Sequence, residues 1–225
     1  MSLYFSRLTL NPAPSARALI QMLNPKDANA AADAHHRLIW TAFSDAKDRN
    51  RDFLWRYDGD NRFYTLSARL PRPGDLFGEP AIKTFEPNLV IGDRLNFVLR
   101  ANATKVSKQA GGKRVDVVMD LLYDEPKEKR AEGRMKLAQL AGEAWMARQG
   151  AAKGFAPLKT VVEGYTVLEL GHKTAKRSYR PHLGVLDLSG TLTVTDPNLF
   201  LAALAQGFGR AKAWGCGLMM IRRTP

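Results

Sequence analysis

The chain has 225 residues, with 34 lysines and arginines against 22 aspartates and glutamates and a formal net charge of +12. Residues 1–100 carry 14 basic and 11 acidic side chains, whereas residues 101–225 carry 20 and 11, a bias that points to a polyanionic partner, most often nucleic acid. A single cysteine excludes an internal disulfide, and four histidines show no zinc-ligand spacing, so we expect no metal site and no cofactor. No secretory signal or membrane span is recognisable, which predicts a soluble, cytoplasmic protein.

The first half of the chain predicts several strands and one helix. Residues 3–10 are rich in β-formers, and Asp27 is the expected N-cap of a helix over residues 28–43. Residues 52–57 and 62–70 predict a hairpin, and residues 94–101 a further strand after a poorly defined segment. On the helix, the apolar face contains His35, and His36 lies at its edge.

The second half repeats this alternation of strands and helices. It predicts strands over 113–122, 158–170, 183–195 and 218–222, and helices over 126–149 and 197–205. The order of elements favours an α+β fold of two tandem ferredoxin-like (βαββαβ, RRM-like) domains, residues 1–102 and 103–225, with a functional cleft between them. A single α+β domain with insertions is the alternative.

Residues 207–218, called here the glycine segment, combine closely spaced glycines with basic residues. These are Gly207, Gly209, Arg210, Lys212, Gly215 and Gly217. Such glycines let the backbone pass where a Cβ would not fit, and their amide N–H groups can converge on an anion, for which phosphate is the first candidate. A flexible turn before the last strand is the alternative. The spacing does not match a P-loop or a dinucleotide-binding fingerprint.

Two other stretches are strongly basic. The first contains Lys105, Lys113 and Arg114, and the second contains Lys173, Lys176, Arg177 and Arg180. Each can follow the backbone of an RNA duplex through phosphate contacts, which are sensitive to salt. A plain linker is the alternative for the first stretch, and a solvated charged surface is the alternative for the second.

His36 is the candidate for proton transfer, because imidazole titrates near neutral pH and this ring can face a cleft while Arg37 holds a phosphate. His35 is expected to be a buried structural histidine. His172-Lys173-Thr174 matches half of the site used by two-histidine cyclic phosphodiesterases, but the sequence after His182 does not supply the other half.

Several segments, in the same order along the chain, match one known family. They are Leu8-Thr9-Leu10-Asn11-Pro12-Ala13, His36-Arg37-Leu38 with Trp40, Leu99-Arg100-Ala101-Asn102, Gly112-Lys113-Arg114, Ala144-Trp145 and Gly207-x-Gly209-x5-Gly215-x-Gly217-Leu218. Together they resemble the CRISPR precursor-RNA endoribonucleases of type I-E systems, which are the CasE subunits of Cascade complexes. The glycine pattern combined with the first-helix histidine is the most specific feature.

This resemblance implies two ferredoxin-like domains and a metal-independent cut at the base of a repeat stem-loop. The RNA 2′-OH would attack the adjacent phosphate, leaving a 2′,3′-cyclic phosphate and a 5′-OH, and the product would stay bound in a Cascade complex. It also implies that His36 is the general acid, or the general base, and that Arg37 holds the scissile phosphate. Asp33 and Thr41 stand where some members have a tyrosine and a lysine. The competing function is a non-catalytic subunit that binds an RNA hairpin.

Overall fold

The fold, seen in a computed structural model, is built on two four-stranded antiparallel sheets. The structure describes residues 2–11, 19, 22–44, 51–109, 111–170 and 182–224. The strands are β1 (Tyr4–Thr9), β2 (Phe53–Tyr57), β3 (Arg62–Ser67), β4 (Ala81–Thr84), β5 (Arg94–Ala101), β6 (Thr104–Ser107), β7 (Lys113–Asp116), β8 (Phe155–Glu169), β9 (His182–Val194) and β10 (Met219–Arg223). The helices are α1 (Ala28–Thr41), α2 (Val117–Tyr123), α3 (Arg130–Lys153) and α4 (Pro197–Gln206), with 3₁₀ turns at Lys127–Lys129 and Lys212–Trp214.

The first sheet has the strand order β2-β3-β1-β4 and is covered on one face by α1. Alternate residues of a strand face the same side, so Phe53 and Trp55 of β2 point with Phe63 of β3 into a core that α1 completes with Ile39. The Asp27 carboxylate accepts a hydrogen bond from the backbone N–H of Ala30 at 2.8 Å, which confirms the predicted N-cap.

The second sheet has the order β10-β5-β9-β8, with α3 preceding β8 and α4 connecting β9 to β10. Its core includes Trp145 of α3, Phe155 of β8 and Phe200 of α4, all at most 2% exposed. Strands β6 and β7 form a separate hairpin between β5 and α2. No helix among the described residues is both long and apolar enough to cross a membrane.

One predicted strand belongs to the other sheet. Residues 94–101 are predicted to belong to a first domain that ends at residue 102. In the structure they form β5, which hydrogen-bonds along its length with β9 and also pairs with β10. That placement of the strand is wrong, because strand partners are chosen by long-range pairing that local sequence does not encode. The division of the chain into two domains otherwise stays a prediction.

Two element boundaries also differ from those predicted. The strand predicted over 113–122 is β7 followed by α2, because the Asp116 side chain accepts hydrogen bonds from the N–H groups of Val118 and Met119 and so caps a helix. The helix predicted to end before Gly150 continues to Gly154, whose left-handed φ of 74° terminates it. Gly150 is instead a site of close packing, since a Cβ there would lie 2.4 Å from the carbonyl oxygen of Phe155.

The glycine segment ties the two sheets together. Its backbone hydrogen-bonds to the end of β5, through Gly217 N–H to the Arg100 carbonyl at 2.7 Å and Arg210 N–H to the Asn102 carbonyl at 3.2 Å. On its other side a Cβ at Gly215 would lie 3.0 Å from the Trp55 ring of β2. The glycine spacing predicts a backbone approach too close for a Cβ, and this is confirmed. The groups that the backbone approaches are the end of β5 and the Trp55 ring of β2.

We expect Gly209→Ala to destabilise the fold much more than Gly59→Ala. Both residues have positive φ, +70° and +79°, but a Cβ at Gly209 would lie 2.6 Å from the Asn102 carbonyl oxygen, whereas Gly59 has open space around it. Left-handed φ alone costs about 1–2 kcal/mol, and overpacking adds about 1–3 kcal/mol. Urea unfolding of both variants measures the difference; equal losses of stability would contradict the packing explanation.

Candidate active site

His36 lies where α1 meets the glycine segment. Its Nδ1 atom is 2.8 Å from the carbonyl oxygen of Ala213, and its ring centroid is 4.7 Å from that of Trp214. The ring is half-buried, and the next residue, Arg37, is exposed. The tertiary structure therefore brings together the predicted catalytic histidine and the predicted glycine segment, which are 177 residues apart in the chain.

The contact with Ala213 determines the tautomer of His36. A carbonyl oxygen can only accept, so Nδ1 carries the hydrogen and donates it. Nε2 is then the ring nitrogen left for chemistry: it accepts a proton when the ring is neutral and donates one when the ring is charged. Neither Ala213 nor Trp214 was among the predicted site residues. The sequence signal that could have indicated them is the aromatic side chain of Trp214 within the glycine segment.

His35, the preceding residue on α1, is buried in the core, as predicted. It is 5% exposed, its Nε2–H donates to the Asn24 side-chain oxygen at 3.0 Å, and its ring packs against Tyr57 and Phe63. Burial, with a smaller contribution from the positive charge of Arg100, lowers the pKa of His35 to about 4. His35 is thus neutral near pH 7 and has a structural role in the core.

Several amides of the glycine segment are already bonded within the protein. The N–H groups of Gly207 and Gly217 donate to the carbonyls of Ala203 and Arg100, at 2.8 and 2.7 Å. Those of Phe208 and Arg210 are likewise bonded within the protein. For Gly207 and Gly217 the expectation of amides free to bind an anion is therefore wrong; for Gly209 and Gly215 it stays a prediction.

The predicted basic residues lie in two places. Arg210 and Lys212 are in the glycine segment, next to the partners of His36, and Arg210 is exposed. Lys113 and Arg114 are exposed on β7, while Lys105 on β6 forms an ion pair with Asp120 of α2. Lys173, Lys176, Arg177 and Arg180 lie outside the described residues, as does His172. The strand that precedes them ends beside α1, where Glu169 N–H donates to the Asn29 side chain at 2.8 Å.

Two additional basic residues near Lys212 were missed by the sequence analysis. Lys153, at the end of α3, places its ammonium 4.5 Å from the centroid of the Phe208 ring, and Arg51, just before β2, donates to the Phe53 carbonyl at 3.0 Å. Burial lowers the pKa of all three groups, and Lys212 is further affected by the nearby charge of Arg51. Mutually repelling, partly buried cations of this kind favour an anion beside them.

The described residues contain no group of histidine, cysteine, aspartate and glutamate side chains that could hold a metal ion. The side chains present could transfer a proton at His36 and bind negative charge through the surrounding arginines and lysines.

Comparison with known proteins identifies the family. A family model described as "CRISPR associated protein" matches residues 3–223, nearly the whole chain. The chain belongs to this CRISPR-associated family. It is 30% identical over 238 aligned positions to the CRISPR-associated endoribonuclease Cse3 of Thermus thermophilus, covering 97% of this chain and 99% of that protein. It is 24% identical to the Cascade subunit CasE of Escherichia coli, covering 83% of this chain and 89% of that one.

The fold is also that of this family. A solved structure of CRISPR endoribonuclease Cse3 bound to a 19-nucleotide RNA matches with a TM-score of 0.69 and 26% identity. The match covers 98% of this chain and 99% of the other, so this member of the CRISPR-associated family shares its mixed α/β architecture of antiparallel sheets with Cse3 over the full length.

The depressed pKa of His35 predicts a loss of stability in acid. Unfolding restores the ordinary value of 6.5, so the unfolded chain takes up a proton between pH 6.5 and about 4 that the folded protein does not. The free energy of unfolding is unaffected by this group above pH 6.5. It decreases as pH falls below that value, by about 2–3 kcal/mol at pH 4.5. Urea unfolding from pH 7.5 to 4.5 should show a steeper decline for the wild type than for His35→Gln; parallel curves would exclude this role.

Proposed function

We propose that this protein is a metal-independent endoribonuclease that cuts CRISPR precursor RNA at the base of the repeat stem-loop and stays bound to the mature guide RNA in a Cascade complex. The observation that carries the proposal is the contact of His36 with Ala213 and Trp214 of the glycine segment, within a chain whose relatives are named endoribonuclease and Cascade subunit. The strong positive charge is consistent with an RNA substrate.

The proposed reaction uses the RNA as its own nucleophile. The 2′-OH attacks the neighbouring phosphorus, the P–O5′ bond breaks, and the ends become a 2′,3′-cyclic phosphate and a 5′-OH. His36 Nε2 either gives a proton to the 5′ oxygen as it leaves, while water takes the proton of the 2′-OH, or takes the proton of the 2′-OH as it attacks, while water protonates the 5′ oxygen. Because Nδ1 is held by the Ala213 carbonyl, the ring is already oriented, and such positioned acid–base catalysis contributes about 10²–10⁴-fold.

The positive side chains stabilise negative charge during this reaction. Arg37 is adjacent to His36 and is proposed to hold the scissile phosphate, while Arg210 and Lys212 carry charge in the glycine segment. Asp33 and Thr41 occupy the positions of the tyrosine and lysine found in some family members. This chain therefore has no tyrosine or lysine at those two positions to take part in the reaction. Lys105, Lys113 and Arg114, with Lys173, Lys176, Arg177 and Arg180, are proposed to contact the RNA backbone away from the cut.

The architecture proposed for this function is two ferredoxin-like domains. In support, the second sheet is built in the order β5-α3-β8-β9-α4-β10, which is the βαββαβ sequence of that fold, and both sheets place their first strand between their third and fourth. In this proposal the second domain starts at β5, before the boundary predicted from sequence, and Gly207, Gly209, Gly215 and Gly217 join it to the first domain. The predicted cytoplasmic location remains part of the proposal.

The decisive experiment incubates purified protein with a labelled CRISPR repeat stem-loop in EDTA and maps the ends. We expect one cut at the stem base, with a 2′,3′-cyclic phosphate and a 5′-OH, and no change on adding Mg²⁺. His36→Ala should lower the single-turnover rate at least ~100-fold while changing hairpin affinity less than about threefold, because it removes proton transfer and leaves the basic surface.

His182→Gln is the matched control, since it removes an exposed imidazole at the start of β9, and it should keep the rate within severalfold. Cleavage that stops in EDTA and returns with Mg²⁺ would refute the metal-independent mechanism. Binding without any cleavage by the wild type would favour the alternative, a non-catalytic hairpin-binding subunit.

We also expect Arg210→Gln combined with Lys212→Gln to weaken binding of the stem-loop and to flatten its salt dependence. Removing one cation that pairs with a phosphate should reduce the slope of log K against log salt by about one. Lys127→Gln with Lys129→Gln makes the same charge change on exposed residues of the 3₁₀ turn before α3, and should leave the slope unaltered. If both double variants behave alike, the glycine segment does not contact the RNA backbone.

A further inference from the structure

A cavity of about 260 Å³ lies beside His36, between α1, β2 and the second sheet. Asn24, His35, Trp55 and Tyr57 line it from the first half of the chain, and Arg100 and Trp214 line it from the second. Its volume is slightly below the roughly 300 Å³ at which pockets for drug-sized ligands begin. It therefore suits one planar group rather than a longer ligand, and its aromatic lining suits a planar ring.

Two side chains that line this cavity keep unused hydrogen-bond donors. The Tyr57 hydroxyl oxygen accepts from the Asn24 amide at 2.7 Å, so its own hydrogen is left to donate. The nearest carboxylate oxygen to Arg100, on Asp187, is 3.7 Å away, which is too long for a hydrogen bond.

The Asn24 side chain is already bonded within the protein. Its oxygen accepts from His35, and its amide hydrogens are given to Tyr57 and Asn61. The donors left by Tyr57 and Arg100 favour a ligand that supplies acceptors. Nucleobases differ in this respect, since guanine presents O6 and N7 on one edge and uracil presents two carbonyl oxygens, whereas adenine carries a donor at its N6 position.

Trp214 connects the cavity to the catalytic histidine. Its half-buried ring lines the cavity and also contacts the His36 ring, with centroids 4.7 Å apart. A base stacked in the cavity would therefore bring its own phosphate to the side of the cavity where His36 lies. Stacking on aromatic side chains is how proteins commonly hold unpaired bases.

We propose that this cavity binds one unpaired nucleobase next to the cleaved phosphate, through Trp214 and the hydrogen-bond donors of Tyr57 and Arg100, with guanine or uracil preferred over adenine. The proposal rests on the proposed ribonuclease function and adds to it a site that selects the nucleotide flanking the cut.

The test uses repeat stem-loops in which each of the two nucleotides flanking the mapped cut is replaced in turn by an abasic ribose that keeps its 2′-OH. One of the two replacements should lower kcat/KM about tenfold or more, because it removes base stacking and bidentate hydrogen bonding. Trp214→Leu and Tyr57→Phe should each reduce that penalty. In these variants a contact with the base is already missing, so removing the base as well causes a smaller further loss. At the sensitive position, guanine or uracil should exceed adenine severalfold.

Two controls separate this site from general damage. Tyr64→Phe changes a tyrosine that stacks on Phe5, outside the cavity, and should keep the full abasic penalty. An abasic ribose in the hairpin loop should have the same small effect in every variant.

If neither flanking abasic RNA is impaired while the unmodified RNA is cut normally, the base site is wrong and the ribonuclease stands. If the wild type cuts no RNA, the ribonuclease proposal fails; dissociation constants for repeats with an abasic ribose at each nucleotide flanking the base of the stem then decide the cavity by themselves. An abasic penalty that is equal in wild type, Trp214→Leu and Tyr57→Phe would also overturn the proposal.

Discussion

The close approach of the glycine segment to β2 and to the end of β5 is the constraint on which the candidate active site depends. Gly215 lies against the Trp55 ring, and Gly209 against the Asn102 carbonyl, at distances that leave no room for a Cβ. These contacts put the 3₁₀ turn Lys212–Trp214 directly beside α1. As a result, a backbone carbonyl from the end of the chain orients a histidine near its beginning.

Two consecutive histidines on α1 show how burial separates roles. A helix advances about 100° per residue, so neighbours on the sequence face different surroundings. His35 enters the core, where burial lowers its pKa to about 4 and keeps it neutral. His36 stays half-buried against Ala213 and Trp214, with one ring nitrogen held and the other left for proton transfer. One helix therefore supplies both a structural and a proposed catalytic imidazole.

Positive charge surrounds this site from three parts of the chain. Lys212 belongs to the glycine segment, Arg51 precedes β2, and Lys153 ends α3. Burial depresses the pKa of each of them, which means that folding brings these cations together at some cost in free energy. A polyanionic substrate would offset that cost when it binds, which relates the overall charge of +12 to a particular place on the molecule.

Local patterns in the sequence were sufficient for most helices and strands and for the residues most closely tied to chemistry. The Asp27 cap, the β2–β3 hairpin, β5, α4 and the separate surroundings of His35 and His36 follow from short-range periodicity and capping, which depend only on neighbouring residues. The glycine spacing likewise indicated a backbone in close contact, and the resemblance to a CRISPR-associated family, carried by motifs in order along the chain, is confirmed.

Only the tertiary structure decided which sheet β5 joins, which atoms the glycine segment approaches, and which residues complete the site. The amides of Gly207 and Gly217 are bonded to protein carbonyls, and the partners of His36 are Ala213 and Trp214. Lys153, Arg51 and the cavity beside Trp214 also come from distant parts of the chain. Strand pairing and the packing of one half against the other depend on contacts between residues that lie from tens of positions to more than a hundred apart, and no local periodicity records such contacts.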